Sequence, residues 1–410
     1  VCPTGFLSLP IKQLLSVSVT ALTLAGCASF TPDGAMAPVS SRVSSEISAG
    51  AIKIDNAAAA KTADNRVKAL LSKPLTADSA VQIALLSNRG LQAEYNALGI
   101  SEAAYVQASL PPNPVIGIER LAMSGSLEIE RRVIANILAL ITLPSRTAIA
   151  KTQLEASRQR AIEATFRAAA SARRAYYKAV ASRQIVAFLE QARGSAAAAA
   201  ELTRKMGETG AASKLDQARA STFYVELSTE LARFRMTAAS EREELTRTLG
   251  LWGADIDYKL PGRLPSMPPI QTAKQVEVDA VRKRVDLIAA RLELDATARS
   301  LGLSKATRFV SMLDGGWRGN TEEVSADGIS ETASPQGFEV ELEIPIFDLG
   351  AANVRRSQET YMQAVNRLME KAVNVRSEAR QAYGTYRGGY DVARQYQARI
   401  HPLRQAINEQ

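Results

Sequence analysis

The chain has 410 residues, 46% of them hydrophobic but only 5% aromatic, and a formal net charge of +8. Ample apolar content with few aromatics and abundant alanine suits long, closely packed helices better than a compact globule. The positive balance does not mark a nucleic-acid binder, because basic residues interleave with acids. Glu241-Arg242-Glu243-Glu244, for example, reads as a solvated helical face.

Lys12 is the single charge before an apolar run, Leu14 to Gly26, that ends in small residues. A short positive region, a brief hydrophobic stretch and a small-residue cut site predict a secretory signal over 1–26. The run is too short to span a bilayer as a mature helix. Leu24-Ala25-Gly26-Cys27 resembles a bacterial lipobox, in which the cysteine becomes the lipidated first residue of the mature chain. The plain alternative is an ordinary cleaved signal with a chance cysteine. Ala28, where aspartate would retain a lipoprotein in the inner membrane, by resemblance favours sorting to the outer membrane. Cys2 falls in the removed segment and Cys27 is consumed by the anchor. No thiol remains for a disulfide, a thiolate metal site or a nucleophile, and no cofactor is expected beyond covalent lipid on Cys27. Secretion also argues against nucleic acid as a partner.

Residues 27–75 are rich in Ala, Ser and Thr and read as an extended, lipid-anchored tether. A first structural repeat is expected over 76–250. Thr76-Ala77-Asp78 predicts a capped helix start, with a break at Arg89-Gly90 and a stop at Pro111-Pro112-Asn113-Pro114. A β segment over 115–121 and a turn at Met123-Ser124-Gly125-Ser126 follow, with a partner segment from Leu127 to Leu143. From Ser145 no proline occurs until Pro261, and Gly207-Glu208-Thr209-Gly210 is the one cluster of breakers. Two long helices in a hairpin are therefore predicted, the first of about 63 residues and roughly 95 Å. Ile162, Phe166, Ala169, Tyr176 and Val180 recur at helical spacing as one apolar stripe. The alanine-rich remainder fits lateral helix packing and an ordinary coiled coil alike.

A proline-rich connector, 251–270, leads to a second repeat over 271–410. It comprises a helix 271–303, a β segment 307–317, a Gly/Ser/Glu-rich loop 319–335, a β segment 337–348 and a long helix from about Gly350. Two local echoes support a duplication. Arg89-Gly90-Leu91 with Ala93 loosely matches Arg284 to Ala289, and Arg173-Arg174-Ala175-Tyr176 matches Arg380-Gln381-Ala382-Tyr383.

The most informative stretch is Phe338 to Ile346, where large apolar residues alternate with Glu339, Glu341, Glu343 and Pro345. Period two puts the apolar set on one face and three carboxylates on the other. A half-buried strand of a soluble sheet would alternate in the same way. Beside a signal and rod-like helices, a transmembrane barrel strand with lipid outside and water inside is the better reading, with these glutamates lining a lumen. Four β segments cannot close a barrel alone, since small barrels need about eight strands, and open edges are not tolerated in lipid. The barrel must be shared between copies; two would supply eight strands and three would supply twelve, and only the larger barrel readily leaves an open lumen.

These features together resemble the TolC-type outer-membrane efflux family. The resemblance rests on the lipobox, the doubled helix–hairpin–helix order and two motifs. One is Ile344-Pro345-Ile346-Phe347-Asp348-Leu349-Gly350 at a strand-to-helix junction; the other is Gly210-Ala211-Ala212-Ser213-Lys214-Leu215-Asp216-Gln217-Ala218 after a helical turn. It covers about residues 76–400. It implies a mainly α fold with a small β part: long helical hairpins forming a periplasmic α-barrel, and four strands contributed to a shared β-barrel. It also implies a homotrimer in the outer membrane, working with a periplasmic adaptor and an inner-membrane transporter. Gly210, Ser213, Lys214, Leu215 and Asp216 would lie at the periplasmic tip that meets the adaptor, although Ser213 and Asp216 equally suit plain helix capping. In the family a return helix follows the last long helix, and by that resemblance the second repeat is expected to be cut short at Gln410, just after His401-Pro402.

An enzyme is disfavoured. His401 is the single histidine, and no Gly-x-Ser-x-Gly, Walker loop or His-Glu-x-x-His pattern occurs. No metal site is expected, because Glu339, Glu341 and Glu343 spread along a strand rather than converge. A periplasmic adaptor would carry one hairpin rather than two, and a structural coiled-coil lipoprotein would not need alternating strands.

Overall fold

The computed structural model describes residues 29–400 apart from 124–125, 272–274 and 327–328. The signal segment 1–26, Cys27 and His401-Pro402 lie outside the described residues. In chain order the elements are helices α1 (Ala37–Ile47), α2 (Ala57–Leu71), α3 (Ala77–Ser87) and α4 (Arg89–Ser109), then strands β1 (Val115–Met123) and β2 (Ser126–Asn136). Next come the short helix α5 (Ile137–Ile141) and the long helices α6 (Leu143–Glu208) and α7 (Lys214–Leu249). After the connector follow α8 (Val276–Lys283), α9 (Val285–Ala306), β3 (Met312–Ala326), β4 (Ile329–Ala333), β5 (Gln336–Glu343) and α10 (Ala351–Gln395). The order helix, strands, long helix thus occurs twice.

The chain divides into two compact units: one of residues up to Ala35, Leu98–Gln159 and Gln275–Gly389, the other of Met36–Ala97, Arg160–Lys274 and Tyr390 onward. The second is built around α3, the start of α4, and the parts of α6 and α7 that flank them. Ile83, Leu85, Tyr95, Val180, Leu231, Leu245 and Leu249 fill its core. The predicted stripe on α6 is the buried face, with Ile162, Ala169, Tyr176 and Val180 inside and Phe166 half-buried. Polar groups buried with it are paired, as burial requires. The Tyr95 hydroxyl bonds Thr165 Oγ1 at 2.9 Å, and the Tyr176 hydroxyl donates to the Leu75 carbonyl at 3.1 Å. Desolvation pushes the Tyr95 phenol up to about 12. Thr76 caps α3 as predicted, in a reciprocal capping box with Ser79. Gly250 ends α7 at φ +72, where a Cβ would lie 2.7 Å from the Ser87 carbonyl oxygen, so only glycine fits.

The described part of the segment expected as an extended tether, residues 29–75, is folded rather than extended. It holds α1 and α2, which bury Val39, Val43, Ala63 and Val67. Two glutamines grip the backbone between these helices from both sides. Gln82 accepts from Gly50 N–H at 2.9 Å and donates to its carbonyl at 3.1 Å. Gln92 accepts from Ile54 N–H at 2.9 Å and donates to the Ile52 carbonyl at 3.0 Å. Most of the Ala, Ser and Thr that suggested a linker are exposed, while Met36, Val39, Val43, Val67 and Leu75 with four alanines are buried; the amides supply the backbone partners that a free linker would take from water.

The other unit holds the sheet, with the short helices α8 and α9 packed on α10. Leu287, Ala289, Ala296 and Val375 are buried there. The helix expected over 271–303 is broken at Arg284, whose extended backbone (φ −65, ψ 124) separates α8 from α9, as Asn88 separates α3 from α4. The second β segment stops at Asn136 rather than Leu143. Asn136 accepts from Ala139 N–H at 2.6 Å and caps α5, so the apolar run Ile137–Ile141 becomes a helical turn. The strand expected over 307–317 starts at Met312 and continues to Ala326, through the stretch expected as a loop. Ladder partners on both sides override its Gly- and Glu-rich composition. The last segment, expected to Asp348, ends at Glu343 before Pro345.

Candidate functional site

β1, β2 and β3 are successive antiparallel neighbours, and β4 and β5 both pair with β3. β4 and β5 continue one register on β3: Glu322 faces Ala333, and Gly319 faces Gln336. They form one ribbon interrupted at Ser334-Pro335, where Asn320 N–H still bonds the Pro335 carbonyl at 2.9 Å. The four β segments expected are thus four ribbons. Among the described residues, β1 and the β4–β5 ribbon each have a neighbour on one side only.

The register aligns two chemically opposite faces, because residues directly opposite in a ladder point the same way. Ile116 faces Val133, Val133 faces Trp317, and Trp317 faces Phe338; Leu313 faces Leu342 and Gly315 faces Val340. Together with Ile118 these make an apolar face open to the surroundings, with Ile118 76%, Val340 72% and Phe338 93% exposed. Glu339, Glu341 and Glu343 lie on the opposite face, opposite Gly316, Asp314 and Met312. Three further glutamates share that face, with Glu119 opposite Glu130 and Leu121 opposite Glu128. Arg318 bonds Glu130 at 2.7 Å, and Asn320 bonds Glu128 at 2.6 Å. Arg132 fits this face because Gly117 opposite it lacks a Cβ, which would lie 2.6 Å from Nε.

The sequence reading found the acidic row of β5 and missed Glu119, Glu128, Glu130 and Asp314. The alternation Glu128-Ile129-Glu130 was the available signal, but only the ladder shows that these residues share a face with Glu339. Among the described residues no group of three or more His, Cys, Asp or Glu could hold a metal ion. No described helix is long and apolar enough to cross a membrane.

At the strand-to-helix junction, Asp348 accepts from Gly350 N–H at 2.9 Å and Ala352 N–H at 3.1 Å. Gly350 is at φ +69, and a Cβ there would meet the Arg308 carbonyl oxygen at 2.1 Å. The Asp-Leu-Gly run therefore caps α10 and lets the backbone pass close to Arg308.

The other candidate lies between α6 and α7. Gly210 takes φ +79, and the N–H groups of Ala211 and Ala212 both bond the Met206 carbonyl. Ser213 Oγ accepts from Asp216 N–H at 3.1 Å and donates to Asp216 Oδ2 at 2.6 Å, while Ser213 N–H donates to Oδ2 at 3.3 Å. These hydrogen bonds hold the Asp216 carboxyl below its usual range. Ser213 and Asp216 thus form a capping box, whereas Lys214 and Leu215 are exposed and bear no part in it. Gly207 belongs to the same turn, since the Gln217 amide lies where its Cβ would be.

The described sheet thus has one apolar face, one acidic face and two open edges. No family model matches the chain. It is 24% identical over 364 residues to the toluene efflux pump outer membrane protein TtgC of Pseudomonas putida, covering 83% of this chain and 73% of that protein. The outer-membrane channel OprN has the same fold at 16% identity and a TM-score of 0.63, covering 82% of this chain and 80% of that one. The Campylobacter jejuni CmeC outer membrane channel matches with a TM-score of 0.60 at 14% identity, over 85% and 76% of the two chains. The chain is thus similar in sequence to an efflux-pump outer membrane protein, and it shares the fold of the outer-membrane channels.

Proposed function

We propose that this chain is the outer-membrane duct of a multi-component efflux system, a passive exit for small molecules or metal ions. Three copies pool their ribbons into one twelve-stranded barrel, and their long helices form a conduit in the periplasm. The sheet is the observation that supports this most. A face as apolar as Ile116, Ile118, Val133, Phe338, Val340 and Leu342, exposed in one chain, needs a cover. Lipid supplies it only if the opposite, acidic face is wet, as in the lumen of a channel. Glu339, Glu341 and Glu343 line that lumen together with Glu119, Glu128 and Glu130. Lipid on Cys27 adds an anchor in the same membrane. Exposed Lys214 and Leu215, on a turn rigidified by Gly210 and the Ser213–Asp216 box, offer a periplasmic adaptor a firm contact, and the adaptor links the duct to an inner-membrane transporter. No bond chemistry is assigned to the chain. Outer-membrane fractions should contain it as a heat-modifiable oligomer that conducts ions in planar bilayers. A soluble periplasmic monomer without conductance would overturn the proposal.

A further inference from the structure

The two open edges of the sheet belong together, and strand direction and register fix how. Strands alternate in direction across the four ribbons, so β1 of one copy and β5 of another meet antiparallel. Pairing β1 with β1 of a second copy would leave both β4–β5 edges bare. A head-to-tail seam of β1 on β5 leaves none within the apolar band once the ring closes, and bare edges are excluded in lipid.

β4 is polar on the outward face, with Ser330, Thr332 and Ser334 in register with the apolar residues of β5. It extends past the apolar band, so β5 is the stretch whose edge must be covered completely. β5 has 8 residues and β1 has 9, which leaves two fully overlapping registers. One of them turns the glutamates of β5 to the apolar face of β1, because a slip of one residue exchanges the faces. We infer that β1 of each copy pairs with β5 of the next in the other register: Ile116 opposite Leu342, Ile118 opposite Val340 and Arg120 opposite Phe338. This rests on the oligomeric duct proposed above.

Two independent features agree with it. Within a chain, Val115, Ile134, Gly316 and Glu339 lie level along the ladder. The seam puts Val115 opposite Glu343 instead, an offset of about 14 Å over about 19 Å of circumference, which is a strand tilt of about 35°. Barrels close at tilts of roughly 35–45°. Arg120 then falls beside Phe338 at the end of the apolar band, where a long cationic side chain can lay its stem on lipid and raise its head to the interface. On the wet face Glu119 stands between Glu130 of its own chain and Glu339 of the next copy, a like-charge row that water and counterions screen.

The test is disulfide trapping in the outer membrane, in the full chain. Copies carrying Ile118→Cys alone are co-expressed with copies carrying Val340→Cys alone, and the oxidised product is resolved on denaturing gels. Val115→Cys with Glu343→Cys probes the same register from the other face and serves if the first pair impairs assembly. A covalent dimer approaching the half of the chains that random mixing in a trimer allows, for both pairs, with at least tenfold less for Ile118→Cys with Leu342→Cys or with Phe338→Cys, is the expected result. A native-sized oligomer that cross-links best at one of the shifted pairs, or at none, overturns the register and leaves the duct standing. Absence of any oligomer from the unsubstituted chain removes the duct reading and the seam with it.

Discussion

Arg173 on α6 donates to Asp78 at 2.7 Å, and Asp78 is the second residue of α3. The relationship recurs in the second repeat, where Arg380 on α10 donates at 2.9 Å to Glu277, the second residue of α8. Each acid stands in the first turn of its helix, where the helix dipole favours negative charge. The arginines are the first residues of the two sequence echoes, Arg173 to Tyr176 and Arg380 to Tyr383, so the duplication preserves a contact as well as a motif.

This pair is expected to matter less for stability than its neighbour Tyr176. Asp78 is 88% exposed in its side chain, and exposed ion pairs contribute about 0–1 kcal/mol. The Tyr176 hydroxyl is buried on the Leu75 carbonyl. Removing it leaves that acceptor unpaired, at a cost of about 1–3 kcal/mol. Thermal denaturation should therefore place Tyr176→Phe clearly below Arg173→Ala. The reverse order would mean that the echoed arginine orients its helix more strongly than its exposure suggests.

Opposite facings in β5 give the second prediction. Leu342→Arg puts a charge on the lipid side, costing on the order of 2–4 kcal/mol near the midplane, and should reduce the amount of assembled oligomer. Glu341→Gln should leave assembly intact and lower cation preference in single-channel recordings. Normal assembly of Leu342→Arg together with failure of Glu341→Gln would mean that the faces are exchanged.

At the tip, fold and docking separate. Ser213→Ala removes the cap of α7 and should cost about 1 kcal/mol, seen as faster amide exchange over 211–220. Lys214→Glu and Leu215→Ala should leave the oligomer unchanged while weakening adaptor cross-linking and export, because neither side chain takes part in the box. The Asp216 carboxyl is held below its usual range by Ser213. Its contribution is thus complete above the ordinary carboxylate pKa of about 4 and is lost as pH falls through the depressed value. Tip protection, exchange relative to its intrinsic rate at each pH, should accordingly be flat from neutral pH to about 5 and fall only in stronger acid, and Asp216→Asn should abolish that fall.

Cys27 provides the fourth. Cys27→Ser should incorporate no labelled lipid and accumulate as unprocessed precursor. Unchanged lipid labelling would remove the anchor.

Local sequence alone determined the long helices, the break near Arg89, the caps at Thr76 and Ser213 and the alternation of β5, because these depend on breakers, capping residues and periodicity among neighbours a few residues apart. Only tertiary structure decided the rest. Whether 28–75 is a tether or two packed helices depends on Gln82 and Gln92, more than thirty residues away, offering their amides to its backbone. Whether 319–324 lie in a loop or in β3 depends on ladder partners in β2, roughly 190 residues earlier in the chain. The acidic face shows the same division. Glu119, Glu130 and Glu339 are each legible as alternating residues of a strand, but their common face is a property of register, and register is set by pairing across the chain rather than along it.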